Sequence, residues 1–128
     1  MAKIGNTCRQ VLDKAEWIAI ATSGHDGPHL AGTWGEYVRA LGVKNDEIFL
    51  VPAGGLIKTE QNLAADKRIE LLFGSRQVQG THGPGKGCRI RGTGQLQTSG
   101  ELFDGARKKF PWARGVLVIK AEEVVEQL

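Results

Sequence analysis

The chain has 128 residues, 41% of them hydrophobic and 24% charged, enough for one soluble domain over residues 1–128 with a real core. Lys and Arg outnumber Asp and Glu by 17 to 14, but the basic residues are scattered rather than gathered into a tail or stripe, which favours small anions over nucleic acid. Its apolar runs, such as residues 17–21, are too short to span a bilayer, and residues 1–6 lack the apolar stretch of a secretory signal, so no membrane partner and a cytoplasmic location are expected.

In chain order, Asn6 or Thr7 can cap a short helix that carries Val11, Leu12 and Ala15 on one side. β-favouring residues follow at 17–22, and 23–28 is a turn cluster rich in Gly, Asp and Pro. Residues 29–41 alternate loosely through Leu30, Gly32, Trp34 and Tyr37, which predicts the second strand of a hairpin. A strand is predicted at 47–51, a two-turn helix at 58–65 and a strand at 68–73 that Gly74 and Ser75 end. Residues 76–87 then read as a polar, Gly-rich loop.

Residues 88–97 alternate as a strand with one polar face, in which Gly92 or Gly94 marks a bulge or bend. Helical spacing returns at 101–109 behind Ser99 or Gly100, with Pro111 beyond its end, and 115–119 is a final strand. About six strands joined mostly by hairpins, with short helices between them, make the chain mainly β, an antiparallel barrel or sandwich. Cys8 and Cys88 lie far apart without a Cys-x-x-Cys spacing and read as reduced, structural thiols.

The segment 51–62 holds the most chemistry. An apolar strand through Val51, Pro52 and Ala53 runs into Gly54 and Gly55, which permit positive φ and close backbone approach, and then into Lys58 and Thr59 at a helix start. An ammonium and a hydroxyl beside free helical N–H groups suit a phosphate. A solvated helix start with a capping threonine fits the same residues, and the local sequence does not decide between them. Trp34, Tyr37 and Trp112 likewise fit either core packing or the walls of a site for a flat ligand, the latter favoured by Gly32 and Gly35 beside Trp34.

Other motifs fail on their own terms. Gly80 to Lys86 has the spacing of a Walker A loop, but Gly87 replaces the metal-binding hydroxyl and a strand follows where a helix is required. His25, His29 and His82 lack a shared helical face and a completing ligand, so no metal site is expected. There is no Gly-x-Ser-x-Gly elbow, and no residue is assigned a catalytic role.

Taken together, residues 19–22, 26–30, Thr33-Trp34 with Tyr37, Val51-Pro52 with Gly54-Gly55 and Lys58-Thr59-Glu60, 83–85, 90–92 and 112–114 resemble the pyridoxamine-phosphate-oxidase-like split-barrel flavoproteins, in particular their small FMN-binding members. The resemblance runs in order along nearly the whole chain. It implies a Greek-key-like split β-barrel with short flanking helices, a homodimer with one FMN per subunit near the interface, and electron transfer with an unidentified redox partner protein. Lys58 and Thr59 would hold the phosphate. Val51, Pro52, Ala53, Gly54, Gly55, Thr33 and Trp34 would border the ribityl chain and ring, with Trp34, Tyr37 and Trp112 as the neighbouring aromatics. The C-terminal Leu128 would reach the flavin of the other subunit. Gly32 and Gly35 stand where the resemblance implies asparagines, so the ring contacts there are lost or made by backbone groups. An FMN-dependent reductase or oxidase acting on a small planar substrate, and a flavin-storage or sensing module, are the alternatives.

Overall fold

A computed structural model describes residues 2–128. The chain forms α1 (Asn6–Lys14), β1 (Trp17–Gly24), β2 (Gly27–Trp34), α2 (Gly35–Leu41), β3 (Ile48–Ala53), α3 (Ile57–Ala65), β4 (Arg68–Gln79), β5 (Pro84–Gln97), α4 (Glu101–Lys109) and β6 (Gly115–Gln127). All paired strands are antiparallel, in the order β2-β1-β4-β5-β6-β3, and the sheet curls into a half-barrel flanked by the four short helices. The expected mainly β split barrel is therefore present.

Period-two burial builds the strands. Ile18 and Ile20 on β1, Ile69, Leu71 and Phe73 on β4, and Ile90 on β5 point into one core with Phe49, Val51, Leu117 and Ile119. Helix α1 lays Cys8, Val11 and Leu12 over that core. The first half of β6 is buried on both faces, because Val116 and Val118 pack with Leu41, Leu50 and Ala106 of a second cluster under α4. Cys8 and Cys88 are both free and buried, and their thiols share a hydrogen bond; that bond and burial together push the Cys8 thiol up.

Several local expectations change. The stretch from Gly35 is helix, not strand, so Tyr37 lies on α2. No side chain caps α2; instead the Arg39 guanidinium donates to the carbonyls of Leu12 and Ala15, at 2.9 and 2.6 Å, and ties α2 to the end of α1. Helix α1 is led by Gly5 with no side-chain cap, so neither Asn6 nor Thr7 serves that role. Strand β4 runs past Gly74 and Ser75 to Gln79, and β5 begins at Pro84, which leaves a short turn where a loop was expected. Apart from Val78, which reaches the core, the β4–β5 ladder of polar residues and glycines holds that extension. The bulge does fall at Gly92, where Glu122 of β6 is the extra residue.

Candidate functional site

The elements meet at the N-terminal end of α3. β3 ends at Ala53, the chain turns through Gly54, Gly55 and Leu56, and α3 begins at Ile57. The left-handed residue of this turn is Leu56 (φ 60°, ψ 34°), not either glycine. The glycines supply room instead: a side chain at Gly54 would stand 3.0 Å from the Trp112 ring, and nothing lies within 4 Å of one at Gly55. Leu56 thus carries a strained backbone beside open space, a pairing common at ligand sites.

Arg114 pins this turn. Its guanidinium donates to the Gly55 carbonyl from Nε at 3.1 Å and from Nη2 at 2.6 Å, and reaches Glu60 of α3 at 2.9 Å. The Arg114 backbone N–H also bonds the Ala53 carbonyl at 2.8 Å. One residue therefore fixes the end of β3, the glycine turn and the first turns of α3.

On the buried face of α3, Thr59 is 1% exposed and its Oγ1 has no hydrogen-bond partner. One turn on, Asn62 donates to Thr22 Oγ1 of β1 at 3.1 Å. Among the described residues the buried polar side chains are Thr22, Thr33, Thr59 and Asn62, all on β1, β2 and α3. Burying a hydroxyl without a partner costs about 1–3 kcal/mol, so an orphan in the first turn of a helix marks a place for a polar ligand. Lys58 beside it is part-exposed and faces Asp26 of the β1–β2 turn at 3.5 Å. A hydrogen bond from its own backbone N–H and the Lys58 ammonium hold the Asp26 carboxyl below its ordinary range.

A groove of about 300 Å³ opens on the other side of the glycine turn, lined by Trp17, Gly32, Thr33, Trp34, Tyr37, Pro52, Gly54, Gly55, Leu56 and Trp112. Its walls are aromatic. Trp17 and Trp34 meet edge to face with centroids 4.8 Å apart, and Tyr37 lies 5.4 Å from Trp112 with Phe110 against both. All three tryptophans are about half exposed, so they are not core residues. A second hollow of about 250 Å³ behind α3, lined by residues including Leu63, Lys67 and Gly94, brings together none of the candidates.

The sequence candidates thus divide by place. Thr33, Trp34, Tyr37, Pro52, Gly54, Gly55 and Trp112 share the groove. Lys58 and Thr59 sit in the first turn of α3, joined to it through Gly55 and Leu56. The side chains of Val51 and Ala53 point into the interior, so only their backbone is available to a ligand. Leu128 is far away: it follows β6, whose opposite end adjoins Ala53, and its carbonyl accepts a bond from Thr81 at 2.8 Å. Sequence reading missed Trp17, whose place depends on cross-strand register, and the clamp formed by Arg114, which depends on folding. The contacts of Arg114 with Gly55 and Glu60 have no local signature; the pairing of Trp17 opposite Trp34 is legible only once the hairpin register is known.

Lys86 of the Walker-like stretch lies on β5 and pairs with Glu126 at 3.6 Å, with no helix following. No group of three or more His, Cys, Asp or Glu side chains suited to a metal occurs among the described residues, and none of the described helices is long and apolar enough to cross a membrane.

Similarities to known proteins bear on this arrangement. The chain is 46% identical over 110 residues to the FMN-binding protein of Nitratidesulfovibrio vulgaris (strain DSM 19637 / Miyazaki F), a match covering 86% of this chain and 87% of that protein. Its fold is similar to that of HupZ from Group A Streptococcus, with a TM-score of 0.74 at 19% identity over 98% of this chain and 94% of that one. It is also similar to that of an FMN-binding protein from Syntrophomonas wolfei, with a TM-score of 0.67 at 15% identity over 95% and 84%. The family model described as pyridoxamine 5'-phosphate oxidase matches residues 4–127, nearly the whole of the described half-barrel. The chain belongs to the pyridoxamine 5'-phosphate oxidase family.

Proposed function

We propose that this protein binds FMN, with the phosphate at the first turn of α3 and the ring in the aromatic groove, and that it works as an electron carrier. The observation that carries this reading is the buried, partnerless hydroxyl of Thr59, one turn of chain away from a groove walled by Trp17, Trp34, Tyr37 and Trp112. A phosphate would satisfy Thr59 Oγ1 and the free N–H groups of the helix start, and Lys58 would supply the countercharge. The similarity to a protein named for FMN binding supports the same ligand. Bound there, FMN supplies the redox chemistry, and the protein supplies binding, shielding and tuning.

The carrier reading is supported by what lines the groove: glycines, Thr33, Pro52, Leu56 and aromatic rings, among which the Tyr37 phenol is the one titratable group. The buried, free thiols of Cys8 and Cys88 suit a cytoplasmic setting. A homodimer is supported by the outer face of the sheet, where Leu30, Leu72 and Val125 stay exposed around the alternating charges of Glu70, Arg89, Glu123 and Arg91. Such a strip is its own complement across a two-fold axis. A redox partner protein would approach the open groove.

The test is a titration of apo-protein with FMN, followed by quenching of flavin fluorescence. Saturable binding is expected, and Lys58→Ala should weaken it about ten- to a hundredfold, in line with about 1.5–3 kcal/mol for a charge-assisted bond, while riboflavin binding stays unchanged. Absence of flavin absorbance in protein refolded with excess FMN overturns the reading. Steady-state oxidation of NAD(P)H or of pyridoxamine phosphate would replace the carrier by an FMN-dependent oxidoreductase.

A further inference from the structure

Trp17 starts β1 directly opposite Trp34, and Ala19 stands opposite Gly32, so Trp17 and Gly32 are diagonal neighbours on one face of the hairpin. The indole lies across Gly32 so closely that a Cβ at position 32 would collide with the Cζ2 and Cε2 carbons of its ring and would come within 2.7 Å of Nε1. The space that a side chain at position 32 would fill is therefore occupied by Trp17. Its ring N–H lies over the glycine and has no protein acceptor among the described residues.

One structural account is that Trp17 merely covers a glycine on the edge strand β2, as aromatic residues do in other sheets. Three features go beyond it. A covering side chain gains by becoming buried, yet Trp17 is 50% exposed. It lines the same groove as Trp34 and Trp112, edge to face with Trp34. Its only polar atom lies beside the strip of β2 that carries no side chain of its own. A large ring held half in solvent and half in a groove offers contact area at little entropic cost.

We propose that Trp17 is a cofactor-contacting residue, and that Trp17 and Gly32 act as one unit in which the indole supplies, from the neighbouring strand, the ring contact and N–H donor that position 32 lacks. This rests on the FMN reading and adds to it a residue that contacts the ring rather than the phosphate. It follows that a change at either position acts through the other. Gly32→Ala pushes the indole out of place although its own methyl group is inert.

The experiment compares FMN and riboflavin binding to wild type, Trp17→Ala, Trp17→Phe and Lys58→Ala, with urea unfolding of each. Trp17→Ala should weaken FMN and riboflavin alike by tenfold or more, whereas Lys58→Ala weakens FMN alone. Trp17→Phe keeps a ring over Gly32 and removes the donor; a threefold or greater loss for both ligands at an unchanged unfolding midpoint is expected, and this variant decides the matter if Trp17→Ala does not fold. Wild-type affinity for both flavins in whichever Trp17 variants fold overturns the contact and leaves FMN binding standing. Failure of the wild type to bind FMN overturns both.

Discussion

At the scale of single residues, Gly32 and Gly35 are glycines for different reasons. Gly32 leaves room for a ring from another strand, but Gly35 is demanded by backbone. A Cβ there would strike the Ala15 carbonyl oxygen and lie 2.7 Å from Arg39 Nη1, the same group that ties α2 to α1. The Gly35 N–H also donates to the Glu16 carbonyl at 2.8 Å, so the two segments cannot separate without losing a bond. Gly35→Ala should therefore destabilise the fold by about 3 kcal/mol, the upper part of the range for overpacking, because one of the two groups in the way is main chain. Urea unfolding measures this; a loss below about 1 kcal/mol would mean that the α1–α2 junction yields more easily than its hydrogen bonds indicate.

At the scale of elements, the candidate site depends on how β3, α3 and the start of β6 are held together, and that task falls to Arg114. Its guanidinium joins the Gly55 carbonyl to Glu60 while its N–H holds Ala53, so the first turn of α3 and the glycine turn that borders the groove keep a fixed separation. Arg114→Ala should cost about 1–2 kcal/mol in stability and weaken FMN binding by about three- to tenfold. Arg114→Lys should fail to restore affinity, since an ammonium cannot make the forked contact. Equal FMN affinity in wild type and Arg114→Ala, measured by fluorescence titration, would show that the glycine turn keeps its shape unaided. These contacts mark the boundary of what the sequence discloses. The strands at Ile18 and Ile20 or at Val116 to Ile119 were legible, because burial of one face writes an alternation into the first and burial of both faces an unbroken apolar run into the second. So was the corner at Lys58 and Thr59, where residue types alone suggest an anion. Helix α2 was not, because its anchor is Arg39 bonding to carbonyls more than twenty residues away. The far halves of β4 and β5 were not either, since a ladder of polar residues leaves no hydrophobic pattern to read. Trp17 was legible as a strand residue and illegible as a groove residue for the same reason: register is a property of two strands.

At the scale of the whole molecule, β6 separates the aromatic groove from Leu128, the two places that the resemblance to the split-barrel flavoproteins would bring together. Its first residue pairs with Ala53 at the glycine turn, and its last, Gln127, pairs with Gly87 and precedes Leu128. Thirteen residues of strand at about 3.3 Å each span roughly 40 Å before curvature, so Leu128 cannot reach the groove of its own chain. Its side chain is 76% exposed and packs little at home. If it contacts a flavin, the flavin belongs to a second copy, and the exposed Leu30, Leu72 and Val125 provide the face on which that copy would sit. Two substitutions separate these ideas. Leu72→Glu puts a charge into the proposed interface and should shift sedimentation from dimer to monomer, with FMN affinity falling at the same time. Leu128→Ala keeps the carbonyl that accepts the Thr81 bond and removes only the exposed side chain, so it should leave both the dimer and the unfolding midpoint unchanged while weakening FMN binding about threefold. A Leu72→Glu protein that remains dimeric would rule out this face as the interface. A Leu128→Ala protein that binds FMN as tightly as wild type would leave the C-terminal residue without a part in the site, and the groove would then have to be complete within one chain.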